Sequence, residues 1–130
     1  MPVETVTVNA DGAAPNRVQT DARLSQRFSF APDDTDDHDG VFDGRGKGDA
    51  TVQLENDGDV QLDAEVYGAP DPSKSVGDAG VVQLATFNAS PNDGAHQAIT
   101  DPFPYYIVRV SYASGPSGTE TFVYMHFARA

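Results

Sequence analysis

The chain has 130 residues, 20 acidic against 8 basic, no cysteine and a formal net charge of −12. The lack of cysteine excludes disulfides and thiolate metal sites, and the negative charge disfavours nucleic acid as a partner. No apolar run is long enough to cross a membrane and no signal peptide is recognisable, so we expect a single domain over residues 1–130 without a membrane partner.

Alternation with period two predicts strands in "VETVTVN" and in "RVQTDARLSQRFSF", residues 17–30. A short helix around residues 20–26 is the alternative for part of the second segment. The outward face of that strand carries Arg17, Arg23 and Arg27. These arginines either pair with nearby aspartates or contact an acidic partner, which could be another copy of the chain.

The segment 31–49 is predicted to be a long acidic loop that begins with "APDDTDDHDG". It does not match an EF-hand, because the bidentate acid is missing when Gly40 is placed at the sixth position of the motif. A looser calcium, magnesium or sodium site is one reading, and a hydrated, salt-tolerant loop is the other. The candidate ligands are Asp36, Asp37, Asp39 and Asp43.

The "GRGKG" stretch at 44–48 resembles a phosphate-binding loop only superficially, because Asp49 follows where Ser or Thr is required. We interpret it as a hinge or arm. Its two basic residues, Arg45 and Lys47, are candidates for contact with an acidic neighbouring subunit.

Five more strands are predicted after residue 49. "ATVQLEN" and "DVQLDAEVYG" are predicted to form a hairpin across "NDGD", since Asp-Gly is a strong turn signal. "GVVQLATFNA" is a further strand. "YYIVRVSYA" and "TETFVYMHFA" are predicted to form a final hairpin across "SGPSG". Turn-forming residues fill 69–80 and 89–104, which are predicted loops.

The last two strands are rich in aromatic residues. Alternation places Tyr106, Val108, Val110 and Tyr112 on one face, and Val123, Met125 and Phe127 on one face of the final strand. Most of the aromatic rings are expected in the core. Tyr105 and Tyr124 lie on the opposite faces and are candidate contacts of an oligomer, because tyrosine is favoured at interfaces.

About seven strands separated by turns indicate an all-β protein, a single antiparallel β-sandwich of jelly-roll or immunoglobulin-like type. The three histidines have no chelating spacing, and no Gly-x-Ser-x-Gly is present, so no catalytic residues are assigned and we expect no enzyme. No cofactor is expected beyond the ion considered for the acidic loop.

The acidic residues are 16 Asp and 4 Glu, and the bases are 6 Arg and 2 Lys. Such an excess of negative charge opposes compaction in dilute buffer. In about 1 M salt the screening length falls to about 3 Å, and the repulsion is largely removed. A surface rich in Asp and poor in Lys therefore suits an environment where salt is always high, and the composition resembles that of haloarchaeal proteins.

The run "DGDVQLDAEVYGAPDPS", followed by "DPFPYYIVRVSYASGPSGTETFVYMHF", resembles small β-sandwich structural proteins of tailed viruses, over residues 49–128. The resemblance implies a non-enzymatic homo-oligomer on the capsid of a haloarchaeal virus, as a decoration or turret, or else a tail or head–tail connector part. Implied partners are other copies and virion proteins such as the major capsid protein. The implied location is the virion, after assembly in the host cytoplasm. A soluble module that binds carbohydrate or cell surfaces through loops 69–80 and 89–104 is the alternative.

Overall fold

The structure is a computed structural model that describes residues 23–130, and all regular elements in this range are β-strands. The strands are β1 (Ser25–Phe30), β2 (His38–Asp43), β3 (Lys47–Glu55), β4 (Leu62–Ala69), β5 (Val82–Ala89), β6 (Gly94–Ile99), β7 (Tyr105–Tyr112) and β8 (Thr121–Arg129). The expected all-β class is confirmed. The predicted strand "VETVTVN" and Arg17 lie outside the described residues.

The strands form two antiparallel sheets of four strands each. Sheet A has the order β1-β8-β3-β6, and sheet B has the order β2-β7-β4-β5. Every connection except that between β4 and β5 passes from one sheet to the other. Both predicted hairpins are therefore wrong. The strands themselves form, but β3 and β4 lie in different sheets, and so do β7 and β8.

A buried network at one corner explains why the Asp-Gly turn does not close a hairpin. The Tyr112 hydroxyl donates to Asn56 Oδ1 at 2.7 Å and lies 2.5 Å from Thr121 Oγ1, which also accepts the Asp57 amide. Asn56 donates to the carbonyl of Val60. These residues belong to the ends of β3, β7 and β8, so the network holds the two sheets together where the chain crosses. We call Asn56, Tyr112 and Thr121 the corner network.

The core lies between the sheets and is built from the inward positions of every strand. Within sheet A, Val52, Leu54, Val123 and Met125 are fully buried. The predicted inward faces of the last two strands are confirmed, and so is the alternation in β1, where Gln26 is buried between exposed neighbours. Burial of aliphatic side chains at about 25 cal/mol per Å² is the main stabilising term of such a sandwich.

The predicted acidic loop 31–49 is wrong over about half of its length, because it contains β2 and the first residues of β3. Asp39 pairs in register with Arg109 of β7, whose guanidinium donates two hydrogen bonds to its carboxylate. Gly40 faces β1, and a Cβ at this position would lie 2.1 Å from Cδ1 of Phe28. The glycine therefore makes room for an aromatic contact between the sheets.

The predicted loop 89–104 is also wrong in its centre, where β6 adds to the edge of β3. Residues Ala50 to Glu55 pair in register with Ile99 to Gly94. Ile99 supplies the only large apolar side chain of the strand, so the alternation in "GAHQAI" was too weak to detect.

The outer face of sheet B is partly covered by the connection between β4 and β5. Tyr105 and Ile107 are buried there with Ala69, and Val76 and Val81 from the connection pack against them. Among the described residues, no helix has the length and apolar character needed to cross a membrane.

Candidate functional site

The outer face of sheet A carries a row of three aromatic side chains along β8. Phe122, Tyr124 and His126 are each half-buried. The rings of Phe122 and Tyr124 are stacked with centroids 6.0 Å apart, and those of Tyr124 and His126 are 5.6 Å apart. Because these positions alternate with the buried Val123 and Met125, they point away from the core. We call the three residues the aromatic row.

Polar side chains of the two neighbouring strands flank this row. The register places each ring between one β1 residue and one β3 residue, and the flanking pairs are Ser29 with Glu55, Arg27 with Gln53, and Ser25 with Thr51. The Arg27 guanidinium lies 5.1 Å from the centroid of the Phe122 ring. The result is a surface in which aromatic rings alternate with hydroxyl, amide and charged groups.

Both ring nitrogens of His126 are engaged within this surface. Nδ1 lies 2.9 Å from Ser25 Oγ, and Nε2 lies 2.8 Å from Gln53 Oε1. Because the amide oxygen can only accept, Nε2 is the donor in the contact with Gln53. The position of Gln53 beside the row is thereby set by a hydrogen bond across strands.

An open groove of about 700 Å³ continues from the aromatic row toward the end of the sandwich. Phe122 of the row and Gln53 beside it both line the groove. The other polar lining residues include four carboxylates and two amides, namely Glu55, Asp57, Asp93, Glu120, Asn56 and Asn92. The groove is therefore strongly negative, and it can accept hydrogen bonds at many points.

Asp57 has a structural role in the wall of this groove. Its carboxylate accepts the backbone amides of Thr119 and Glu120 and the Thr119 hydroxyl. These hydrogen bonds, led by that of the hydroxyl, hold the pKa of Asp57 below its ordinary value. The carboxylate thus ties the connection before β8 to the one after β3.

We expect Asp57→Asn to remove one component of the acid sensitivity of the fold. A carboxyl group whose pKa is lowered by folding contributes stability above its unfolded pKa, and this contribution is lost as the pH falls through the folded value. The difference in unfolding free energy between wild type and Asp57→Asn should therefore shrink on acidification below about pH 4. Denaturant titrations at several pH values in molar KCl would measure it. A difference that does not change with pH would contradict this role.

The four predicted metal ligands are not brought together. Asp39 and Asp43 lie at opposite ends of β2, about 13 Å apart at about 3.3 Å per residue, which is too far for one ion. Arginines engage three of them: Arg109 pairs with Asp37 and Asp39, and Arg45 pairs with the buried Asp43. Asp36 is exposed. Within residues 23–130, no group of three or more acidic or histidine side chains has the geometry to hold a metal ion.

The predicted interface residues fall in three different places. Arg27 and Tyr124 lie side by side on the outer face of sheet A. Tyr105 is only 5% exposed and packs under the Arg45 guanidinium, which lies 5.0 Å from its ring centroid, so its ring is not open to a partner. Arg45 and Lys47 both contact Asp43. Arg23 lies close by, because the Gln26 side chain donates to the backbone carbonyls of both Arg23 and Asp43.

Charge is segregated between the two ends of the sandwich. The connections 31–37, 56–61, 90–93 and 113–120 meet at one end and contain eight acidic residues and no Lys or Arg. We call this the acidic end. At the opposite end, nearby aspartates are offset by five basic residues, namely Arg23, Arg45, Lys47, Lys74 and Arg129. The register pairs Lys47 with Arg129, which places these two side by side.

Sequence reasoning missed the surface formed by Phe122, Gln53, Glu55 and Glu120. The alternation had placed Phe122, Tyr124 and His126 opposite the core face of the final strand. Alternation along one strand does not identify the neighbouring strands, and β1 and β3 are distant from β8 in sequence. The pairing of β8 with β1 and β3 creates this surface.

Comparisons with known proteins give little further information. No protein-family model matches the chain, and no curated protein matches it. Among solved structures, the chain is similar to the crystal structure of PirA, with 13% identity and a TM-score of 0.47 over 85% of this chain and 99% of that one. This is a weak match of fold.

Proposed function

We propose that the protein is a non-enzymatic structural subunit of a haloarchaeal virus particle, assembling as a homo-oligomer on the capsid surface. A tail or head–tail connector position is the alternative within the same particle. The proposal rests on the resemblance of residues 49–128 to small virion proteins, on the salt-adapted composition, and on the distribution of charge in the fold.

The strand order supports a jelly roll in preference to an immunoglobulin-like sandwich. In immunoglobulin domains the first and last strands lie in different sheets. Here β1 and β8 are neighbours, and the two sheets each combine strands from both halves of the chain. Eight strands in two sheets with crossing connections are typical of jelly rolls, an architecture found in viral capsid and lectin domains.

The observation that carries the proposal is the segregation of charge. The proteins of a salt-adapted particle are themselves acidic, so an added subunit must approach a negative surface. The acidic end is the less favourable contact, because like charges that meet within the screening length of about 3 Å still repel in molar salt. The opposite end carries less net negative charge, because basic residues including Arg23, Lys47 and Arg129 offset its aspartates. The subunit therefore has a built-in orientation, with its acidic end toward the brine.

Neutralising this basic group is expected to weaken assembly. Arg23→Gln with Arg129→Gln, both at exposed positions, should lower self-association or particle binding by about tenfold or more, the effect of losing contact ion pairs. Light scattering and co-sedimentation with haloarchaeal virus particles in molar KCl would measure it.

A matched control makes the same change in net charge at the other end. Thr35→Asp with Ser114→Asp adds two negative charges at exposed positions of the acidic end. This variant should assemble as the wild type does. A wild-type protein that remains monomeric and has no affinity for particles would refute the proposal, as would equal losses in the two variants.

A further inference from the structure

We propose that the outer face of sheet A, together with the adjoining groove, is a binding site for a neutral carbohydrate. Apolar C–H groups of the sugar would pack against the exposed parts of the Phe122 and Tyr124 rings, and sugar hydroxyl groups would bind the polar side chains beside them. This goes beyond the assembly function, because it gives an assembled subunit a means of attaching to glycans.

The surface has the amphipathic character of a sugar. A pyranose ring presents apolar C–H groups on its faces and hydroxyl groups around its rim. Tyrosine and phenylalanine rings offer large apolar area, and each ring here is bordered by a hydroxyl, amide or charged group. No contiguous aliphatic patch surrounds them. The exposed large hydrophobic residues of the described chain are Val41 and Val82, and both belong to sheet B.

This distribution favours a sugar over a protein partner. A second protein chain would need a broader apolar centre from which water is excluded. Sugar hydroxyls both donate and accept, and the site provides both functions. Arg27 supplies donors, Glu55 and Glu120 supply acceptors, and Gln53 supplies both.

The charge of the groove restricts the class of sugar. Four carboxylates line it, namely Glu55, Asp57, Asp93 and Glu120. At contact distance, within the screening length of about 3 Å in molar salt, they still repel sulfated, phosphorylated or sialylated glycans. Their oxygens accept hydrogen bonds from neutral hydroxyls. Neutral hexose and N-acetylhexosamine chains are the ligands that fit.

The dimensions are also suitable. A groove of about 700 Å³ is within the range of small-molecule sites in proteins, about 300–1,000 Å³. Because Phe122 lines the groove as well as the row, an oligosaccharide could occupy both. By contrast, the connection 70–81, which overlaps the loop predicted to bind carbohydrate, packs on sheet B through Val76 and Val81.

The test uses labelled full-length protein on an array of neutral, sialylated and sulfated oligosaccharides in molar KCl, with titration of the best neutral glycan. Wild type should bind neutral glycans selectively. Phe122→Ala and Tyr124→Ala should each reduce affinity by about tenfold, a loss typical of removing an aromatic stacking partner. Val41→Ala, which truncates an exposed side chain of sheet B, should leave affinity unchanged.

Circular dichroism would establish that each variant is folded. Tyr124→Phe keeps the aromatic ring and should therefore retain most of the affinity. Absence of binding to every neutral glycan would overturn the proposal. Preference for anionic glycans, or full affinity in the double alanine variant, would do the same. Assembly in molar salt should be unaffected by Phe122→Ala, which separates failure of this site from failure of the assembly function.

Discussion

In ion-poor buffer the protein should lose several kcal/mol of stability, on the order of 5 kcal/mol relative to molar KCl. Eight carboxylates share one end of the sandwich with no Lys or Arg among them. Two unit charges about 12 Å apart repel by about 0.3 kcal/mol in water, and many such pairs exist at this end. Salt at about 1 M removes this repulsion because its screening length is about 3 Å. Denaturant unfolding at several KCl concentrations would measure the change.

A pair of charge-matched variants tests whether the acidic end is the cause. Asp33→Asn, Asp36→Asn and Asp93→Asn together remove three charges there. The control removes three charges at the opposite end through Asp49→Asn, Asp78→Asn and Asp101→Asn. The first variant should need distinctly less salt to fold than the second. A wild-type protein that is equally stable in nearly ion-free water would contradict the interpretation of the composition as salt adaptation.

Asn56→Ala should destabilise the fold by about 3 kcal/mol, because it leaves several buried polar groups without partners. Asn56 is 3% exposed. Its Oδ1 accepts from Gly58 N and the Tyr112 hydroxyl, and its Nδ2 donates to the carbonyls of Val60 and Ser90. Since the Tyr112 hydroxyl donates to Asn56, the proton between Tyr112 and Thr121 must come from Thr121. The corner network is therefore one continuous chain of hydrogen bonds.

Chemical denaturation in molar KCl would measure this effect, with Asn88→Ala as a control at an exposed position of β5. The control should change stability by no more than about 0.5 kcal/mol. Tyr112→Phe should cost about 1 to 2 kcal/mol, and the double variant should cost less than the sum of the two, since both belong to one network. Additive losses, or a loss below about 1 kcal/mol for Asn56→Ala, would show that the network does not hold the corner.

The hairpin between β3 and β4 shows how local rules can be overridden. "NDGD" favours a tight turn in any isolated peptide. In the folded protein Asn56 binds two carbonyls beyond the turn, at Val60 and Ser90, and these bonds hold the chain in a crossing between sheets. A turn signal predicts a change of direction, but the partner strand depends on contacts with residues remote in sequence.

The acidic segment 31–49 shows the same limit for charge. A run of aspartates predicts solvation, and no local pattern indicates that Arg109 would pair with Asp37 and Asp39. That pairing offsets the repulsion between carboxylates and lets β2 form against β7. Part of the segment is therefore a strand, and the charge of its Asp39 is compensated by a residue 70 positions away along the chain.

The sequence by itself determined the strand class, the inward faces of β1, β7 and β8, and the acidic surface. These properties depend on residue type and period-two alternation, which are local. Only the tertiary structure decided which strands are neighbours, and with them the aromatic row, its polar flanks and the separation of charge between the two ends. Every strand offers the same backbone donors and acceptors to its neighbours. The choice of partner strand therefore comes from side-chain packing across the whole sandwich.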